Sequence, residues 1–149
     1  MTNKELIISF LSNVRTDLIT DLRSKKISDG DLDMKTAASD ISGELSGASY
    51  YYFLVHGRRP GKQPPIDNIL AWIKKKGIEA KDISERSLAF LIARKIGKLG
   101  TDIYLGKRPA LALEQIIKVN QGKFEGDLKE KYRKEITEAV SNQLKQIFV

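Results

Sequence analysis

Apolar residues recur at helical spacing through most of this chain, and the exceptions are confined to its middle. Over residues 3–24, Ile7, Phe10, Leu11, Val14, Leu18 and Leu22 fall on one face at steps of three and four, which predicts an amphipathic helix. Thr2 and Glu5 ahead of that run form a capping box, in which the hydroxyl accepts from one free amide and the carboxylate reaches back to another. A polar connector, Ser24 to Asp33, turns at Asp29-Gly30. Met34, Thr36 and Ala38 then alternate, as do Ile41, Gly43 and Leu45, with a slip of phase between the sets. Two short strands with a turn near Ser39-Asp40 account for the slip. A loop rich in small residues is the alternative.

Residues 48–56 are too short for periodicity to separate helix from strand. A short helix is favoured because Gly57 then stands where a helix end takes a left-handed residue. Residues 57–64 form a loop in which Pro60 and Pro64 restrict the residues before them to extended backbone. A helix over 65–76 begins at Pro65, with Ile66, Ile69, Leu70 and Ile73 on one face, Trp72 beside it and Lys74, Lys75 and Lys76 in its last turn. Gly77 stops it. Asp82 and Glu85 predict a second capping box and a helix to about Lys98, with Leu88, Leu91, Ile92 and Ile96 facing inward and Gly100 at its end.

After a short linker, Pro109 is expected to open a helix to about Val119, and Asn120-Gln121-Gly122 to break it. The last helix, about 124–147, carries Phe124, Leu128, Tyr132, Ile136, Val140 and Leu144 at an unbroken spacing of four. At about 100° per residue such a stripe drifts about 40° per step and about 200° over five steps. One flat neighbour cannot cover it, so a core face at one end is expected to give way to a second face at the other. The sum is a helix-rich α+β fold in a single domain, 1–149, with long terminal helices, two central helices and a small β element. Neither an internal repeat nor a low-complexity tract is visible.

Charge changes this picture more than composition does. The 149 residues are 41% hydrophobic and 30% charged, an ordinary globular balance. No apolar run approaches a membrane span, and the N-terminus lacks the pattern of a secretory leader. With no cysteine there are no disulfides and no thiolate sites, which fits a reducing compartment. The net charge is +7, yet residues 56–108 alone hold 13 basic and 5 acidic side chains. That excess suits phosphate or an acidic protein surface, or simply a solvated face.

Chemistry is weakly signalled. His56 is the lone histidine, and Ser49 or Asp67 could complete a hydrolytic set, but no G-x-S-x-G elbow is present. A hydrogen-bonded structural role is the better reading, and no catalytic activity is expected. Asp29, Asp31 and Asp33 alternate like calcium ligands, but Asp40 stands where the bidentate glutamate belongs. Gly57-x-x-x-Gly61-Lys62-Gln63 fails the phosphate-loop spacing, so neither metal nor cofactor is expected. Arg58, Arg59 and Lys62, with Lys74, Lys75, Lys76, Arg94, Lys95 and Lys98, could contact phosphate without reading sequence. No helix-turn-helix, RNP or zinc-finger pattern accompanies them.

One series is more specific as a set than any of its parts. It runs Tyr51…Gly57-Arg58-Arg59-Pro60-Gly61, Pro64-Pro65, Ile69-Leu70-Ala71-Trp72-Ile73, Leu88 to Ile96, then Gly100-Thr101. Over about residues 48–101 this resembles the tail-completion or neck (head–tail joining) proteins of tailed bacteriophages, as in a divergent podovirus-like or crAss-like phage. The resemblance implies a non-enzymatic virion subunit in a homo-oligomeric ring between portal and tail, made in the host cytoplasm, with connector, portal or tail subunits as partners. It also implies a small sheet against long helices. On that reading Arg58, Arg59, Pro60, Lys62, Pro64 and Pro65 form the interface, the lysines and arginines named above touch packaged DNA, and Tyr51, Trp72, Ile92 and Ile96 pack beneath.

Overall fold

The computed structural model describes residues 1–26, 34–47 and 51–148. The polar connector over 27–33, with its alternating aspartates, and Ser49 lie outside those residues. Seven elements follow in order: α1 (Asn3–Ser24), β1 (Lys35–Ala38), β2 (Gly43–Ser46), α2 (Tyr51–His56), α3 (Ile66–Lys76), α4 (Glu85–Leu99) and α5 (Leu113–Ile147). The fold is helix-rich α+β, with long first and last helices and one small antiparallel sheet. Contacts divide the chain into two compact units. Residues 50–110 form one, and the segments on either side, 1–49 and 111–149, form the other.

In the discontinuous unit, α1 opens with the expected capping box: the Thr2 hydroxyl accepts from the Glu5 amide at 3.2 Å, and Glu5 accepts from the Thr2 amide at 2.6 Å. Its buried row is Leu6, Leu11, Val14, Leu18 and Leu22. Each contributes about 1.5–3 kcal/mol when fully removed from water. Leu6, rather than Ile7, is the buried member of the first turn. The strands pair Lys35 with Ser46 and Ala38 with Gly43, joined by a turn in which the Ser39 amide donates to the Ser42 carbonyl at 2.8 Å. This hairpin is the source of the phase slip, with Ile41 at its exposed tip. The sheet rests on α1 so closely that a Cβ on Gly43 would meet the Ile7 and Leu11 side chains.

α5 lies antiparallel on α1. The contacts run from Asp21 with the Ala112 amide (3.0 Å), through Asp17 with Asn120 (2.7 Å) and the Phe10–Phe124 rings (5.2 Å), to Asn3 with Tyr132 (3.1 Å). The expected break at Asn120-Gln121-Gly122 is absent: one helix runs from Leu113 to Ile147. Two causes are visible. Gly122 and Gly126 face open space, so each costs only the backbone entropy of an exposed glycine, about 1 kcal/mol. Asn120 is buried and spends its amide on the Ile116 carbonyl and on Asp17, within the helical frame. Pro109 does not open the helix either. Its start is capped from another element, by the Asp21 carboxylate at the positive end of the α5 dipole. Burial raises the Asp21 pKa, but the Ala112 amide and the Lys25 ammonium (2.8 Å) outweigh it and hold the group below its ordinary value.

In the unit formed by residues 50–110, α3 and α4 pack on each other. Their fully buried side chains are Ile73 on α3 and Ala89 and Ala93 on α4. The buried face of α4 is displaced from the expected one: Leu91 is 49% exposed, and Leu88, Ile92 and Ile96 are half-buried. The expected cap at Asp82 is also corrected. Asp82 takes a left-handed φ of 64°, and Ser84 caps α4 instead, its hydroxyl accepting from the Ser87 amide at 3.1 Å.

Candidate docking loop

The loop from Gly57 to Pro65 is held by its backbone. Gly57 ends α2 with φ of 71°, its amide donating to the Phe53 carbonyl at 2.9 Å. The next residue is clamped on both sides. The Arg58 amide donates to the Thr101 hydroxyl and the Thr101 amide donates to the Arg58 carbonyl, each at 2.9 Å. Further along, the Gly61 amide donates to the Gly97 carbonyl at 2.8 Å. The loop therefore lies along the last turn of α4 and the turn that follows.

Three glycines make that approach possible. A Cβ on Gly57 would stand 2.3 Å from the Tyr104 nitrogen, one on Gly100 would stand 2.6 Å from the Arg58 oxygen, and one on Gly97 would meet the Gln63 side chain at 2.7 Å. Each is backbone or side chain of the opposite segment, so the two segments are shaped to each other. The Gly57-Arg58 and Gly100-Thr101 ends of the sequence series are thus in direct contact. By sequence pattern Gly100 marks only the end of α4, and nothing local to Gly97, Thr101 or Tyr104 announces this contact beyond a pair of glycines three residues apart beside a threonine.

The two arginines part company here. The Arg58 guanidinium donates to the Lys62 carbonyl at 3.1 Å and stands 5.3 Å from the centre of the Phe53 ring. It stiffens its own loop. Arg59, Pro60 and Lys62 are exposed. Pro64 is buried and anchors the exit, while Pro65 is exposed and sits just ahead of α3 rather than inside it. Of the residues expected to pack, Tyr51, Ile92 and Ile96 are half-buried and Trp72 is 45% exposed.

The candidate phosphate contacts are all on the surface of the same unit. Lys74, Lys75 and Lys76 occupy the last turn of α3, closed by Gly77 with φ of 62°, and Arg94, Lys95 and Lys98 are exposed on α4. Charge follows the division of the fold. Residues 50–110 hold 13 basic and 5 acidic side chains, net +8, whereas the rest of the chain holds 13 and 14, net −1. Arg86 and Asp67 form an exposed ion pair at 3.4 Å, a contact worth less than about 1 kcal/mol. His56 is exposed at the end of α2, its ring 4.7 Å from that of Tyr52. Among the described residues no three His, Asp or Glu side chains are grouped to hold a metal, and no helix is long and apolar enough to cross a membrane. No family model, curated protein or solved structure matches the chain.

Proposed function

We propose that the chain is a structural subunit of the head–tail connector of a tailed bacteriophage, a neck or tail-completion component that acts through protein–protein contacts in a ring. The observation that carries the reading is the clamped loop. Arg59, Pro60 and Lys62 are presented on a backbone fixed at Arg58–Thr101 and Gly61–Gly97. A segment already held in one shape loses little entropy when it docks. Exposed arginine and lysine beside proline suit acidic side chains on a neighbouring subunit, arginine through paired hydrogen bonds. The stretch that carries the family resemblance, about 48–101, falls almost wholly within the compact unit 50–110. Its surface also shows Phe90, Leu99, Tyr104 and Trp72 at 44–50% exposure, which is material for contact with other subunits.

The test is incorporation. Arg59→Glu with Lys62→Glu is expected to leave the chain folded and to exclude it from particles assembled in infected cells. Density for a body of this size between portal and tail, lost with the double variant, would support the role. Normal incorporation of the double variant would overturn the interface.

A second reading, nonspecific contact with DNA phosphate, is favoured by the confinement of the +8 charge to residues 50–110. It expects duplex binding by the free chain that weakens steeply with added salt, whatever the DNA sequence. A chain that leaves duplex DNA unbound at about 50 mM salt would dispose of it.

A further inference from the structure

Two aromatic rings stand half exposed on the basic unit. Trp72 on α3 and Phe90 on α4 are 45% and 44% exposed. Each has a cation on its own face of the helix. Residues three and four apart are neighbours on a helix surface, so Lys75 lies beside Trp72, and Arg94 lies beside Phe90 with Lys98 one turn further on. All three cations are exposed. From Phe90 to Lys98 the row turns only about 80°, so one face of α4 presents all three residues. Each helix holds a single acid, Asp67 on α3 and Glu85 on α4. Each acid stands five positions ahead of the ring, which places it about 140° round the axis. The ring faces are therefore cationic, with no carboxylate of their own helix among them.

We infer that these two faces hold single-stranded nucleic acid, the rings stacking on bases while Lys75, Arg94 and Lys98 hold phosphates. The inference rests on the phosphate-contact reading above and names its ligand as single strand rather than duplex.

Charge selects a polyanion. Residues 50–110 carry a net +8, and the faces that bear the rings share in it. An apolar groove on another protein would have to bury Arg94 and Lys98 along with Phe90, and burying unpaired charge is costly.

The rings select among polyanions. A duplex needs only the cations, because its bases are stacked on one another and a ring reaches them only by unstacking a step. An acidic protein surface likewise pairs the cations and leaves the rings unused. A single strand uses both, since every base has a face to stack on a ring and the backbone follows the positive charge. Such binding is tolerant of sequence, which agrees with the lack of any base-reading motif.

Trp72 is the only tryptophan, so its fluorescence reports stacking directly. The probe is an oligo-dT of about 20 nucleotides, long enough for one site and unable to pair with itself. It is expected to quench Trp72 and to bind more tightly than a duplex of the same length at about 50 mM salt. Phe90→Ala is expected to weaken oligo-dT binding about 5- to 10-fold, read by polarisation of a labelled strand, and to leave duplex binding unchanged. Trp72→Ala should do the same, and Trp72→Phe should keep most of the affinity, with helix content checked by circular dichroism. The quenching is read on the unaltered chain, so it decides the matter even where a variant fails to fold. Oligo-dT bound without quenching, duplex bound as tightly as single strand, or folded alanine variants that bind oligo-dT like the parent would each overturn the inference and leave phosphate contact standing. Polyglutamate that displaces oligo-dT at equal charge would mark charge alone, as for an acidic protein, and would overturn it too. A chain that binds neither nucleic acid at about 50 mM salt would remove the phosphate reading as well.

Discussion

Replacing Gly57 with alanine separates two costs that usually arrive together. The first is conformational. Gly57 has φ of 71°, and an L-residue in the left-handed region costs about 1–2 kcal/mol. The second is steric. The added methyl would stand 2.3 Å from the Tyr104 nitrogen and 2.6 Å from its Cα, both backbone atoms that no rotamer change can move. Forcing a methyl into a filled space costs about 1–3 kcal/mol more. Gly77 supplies the control, since its φ is 62° but nothing lies within 4 Å of its would-be Cβ. Gly77→Ala should therefore lose about 1–2 kcal/mol, the conformational cost alone. Gly57→Ala should lose about 2–5 kcal/mol, the sum of the two. Trp72 is the chain's only tryptophan and lies within the 50–110 unit, so urea unfolding followed by its fluorescence reads the right part of the molecule. Hydrogen exchange at the Thr101 amide gives a second reading, because that amide donates to Arg58 across the same junction. Equal losses in the two variants, with Thr101 protection unchanged, would refute the close approach of the 101–106 turn to Gly57.

Gly122→Ala and Gly126→Ala should each raise stability by about 0.5–1 kcal/mol in thermal unfolding, since both sites are mid-helix with open space around them. A loss at either would mean that α5 bends there. Asn120→Ala should cost about 1–3 kcal/mol, because it strips two hydrogen bonds from a buried position and leaves Asp17 without that partner; urea unfolding followed by circular dichroism reads it. Asp21 sets a pH dependence. Its folded pKa lies below the ordinary 3.8, so its contribution is present above that value and is lost as pH falls through the depressed one. Denaturation midpoints should thus fall below about pH 4, and Asp21→Asn should flatten that fall. Arg58→Ala should loosen the loop, seen as faster exchange at the Gly61 amide, while Arg59→Ala should leave that exchange unchanged.

Where the sequence proved legible, local chemistry decides the outcome by itself. The Thr2–Glu5 box, the hairpin turn at Ser39 and the left-handed stops at Gly57 and Gly77 involve residues within four positions of one another. Where it misled, a distant partner intervened. Pro109 looked like a helix opener, but the cap on α5 comes from Asp21, 91 residues away. Large apolar residues on α4 looked like its inner face, yet in the unit where α4 packs on α3 its fully buried residues are Ala89 and Ala93. Asp82 and Ser84 both fit an N-cap by type. Only the left-handed turn at Asp82 shows that the chain has not yet reached helical geometry there.

The loop follows the same rule. Two adjacent arginines are identical in sequence terms, but the Phe53 ring and the Lys62 carbonyl accept only the first, which leaves the second to face outward. A single free arginine on a mobile loop would lose much of its contact energy to ordering. Here the neighbouring arginine, three glycines and Thr101 have already fixed the backbone, so the ordering cost of docking falls mainly on the Arg59 and Lys62 side chains, about 0.5–1.5 kcal/mol each. On the proposed reading, a modest number of charge-assisted hydrogen bonds to a partner would exceed that cost. On the proposed reading, the loop's value as a docking element rests on the residues that fix its backbone, Gly97 and Gly100 among them, as much as on the exposed arginine.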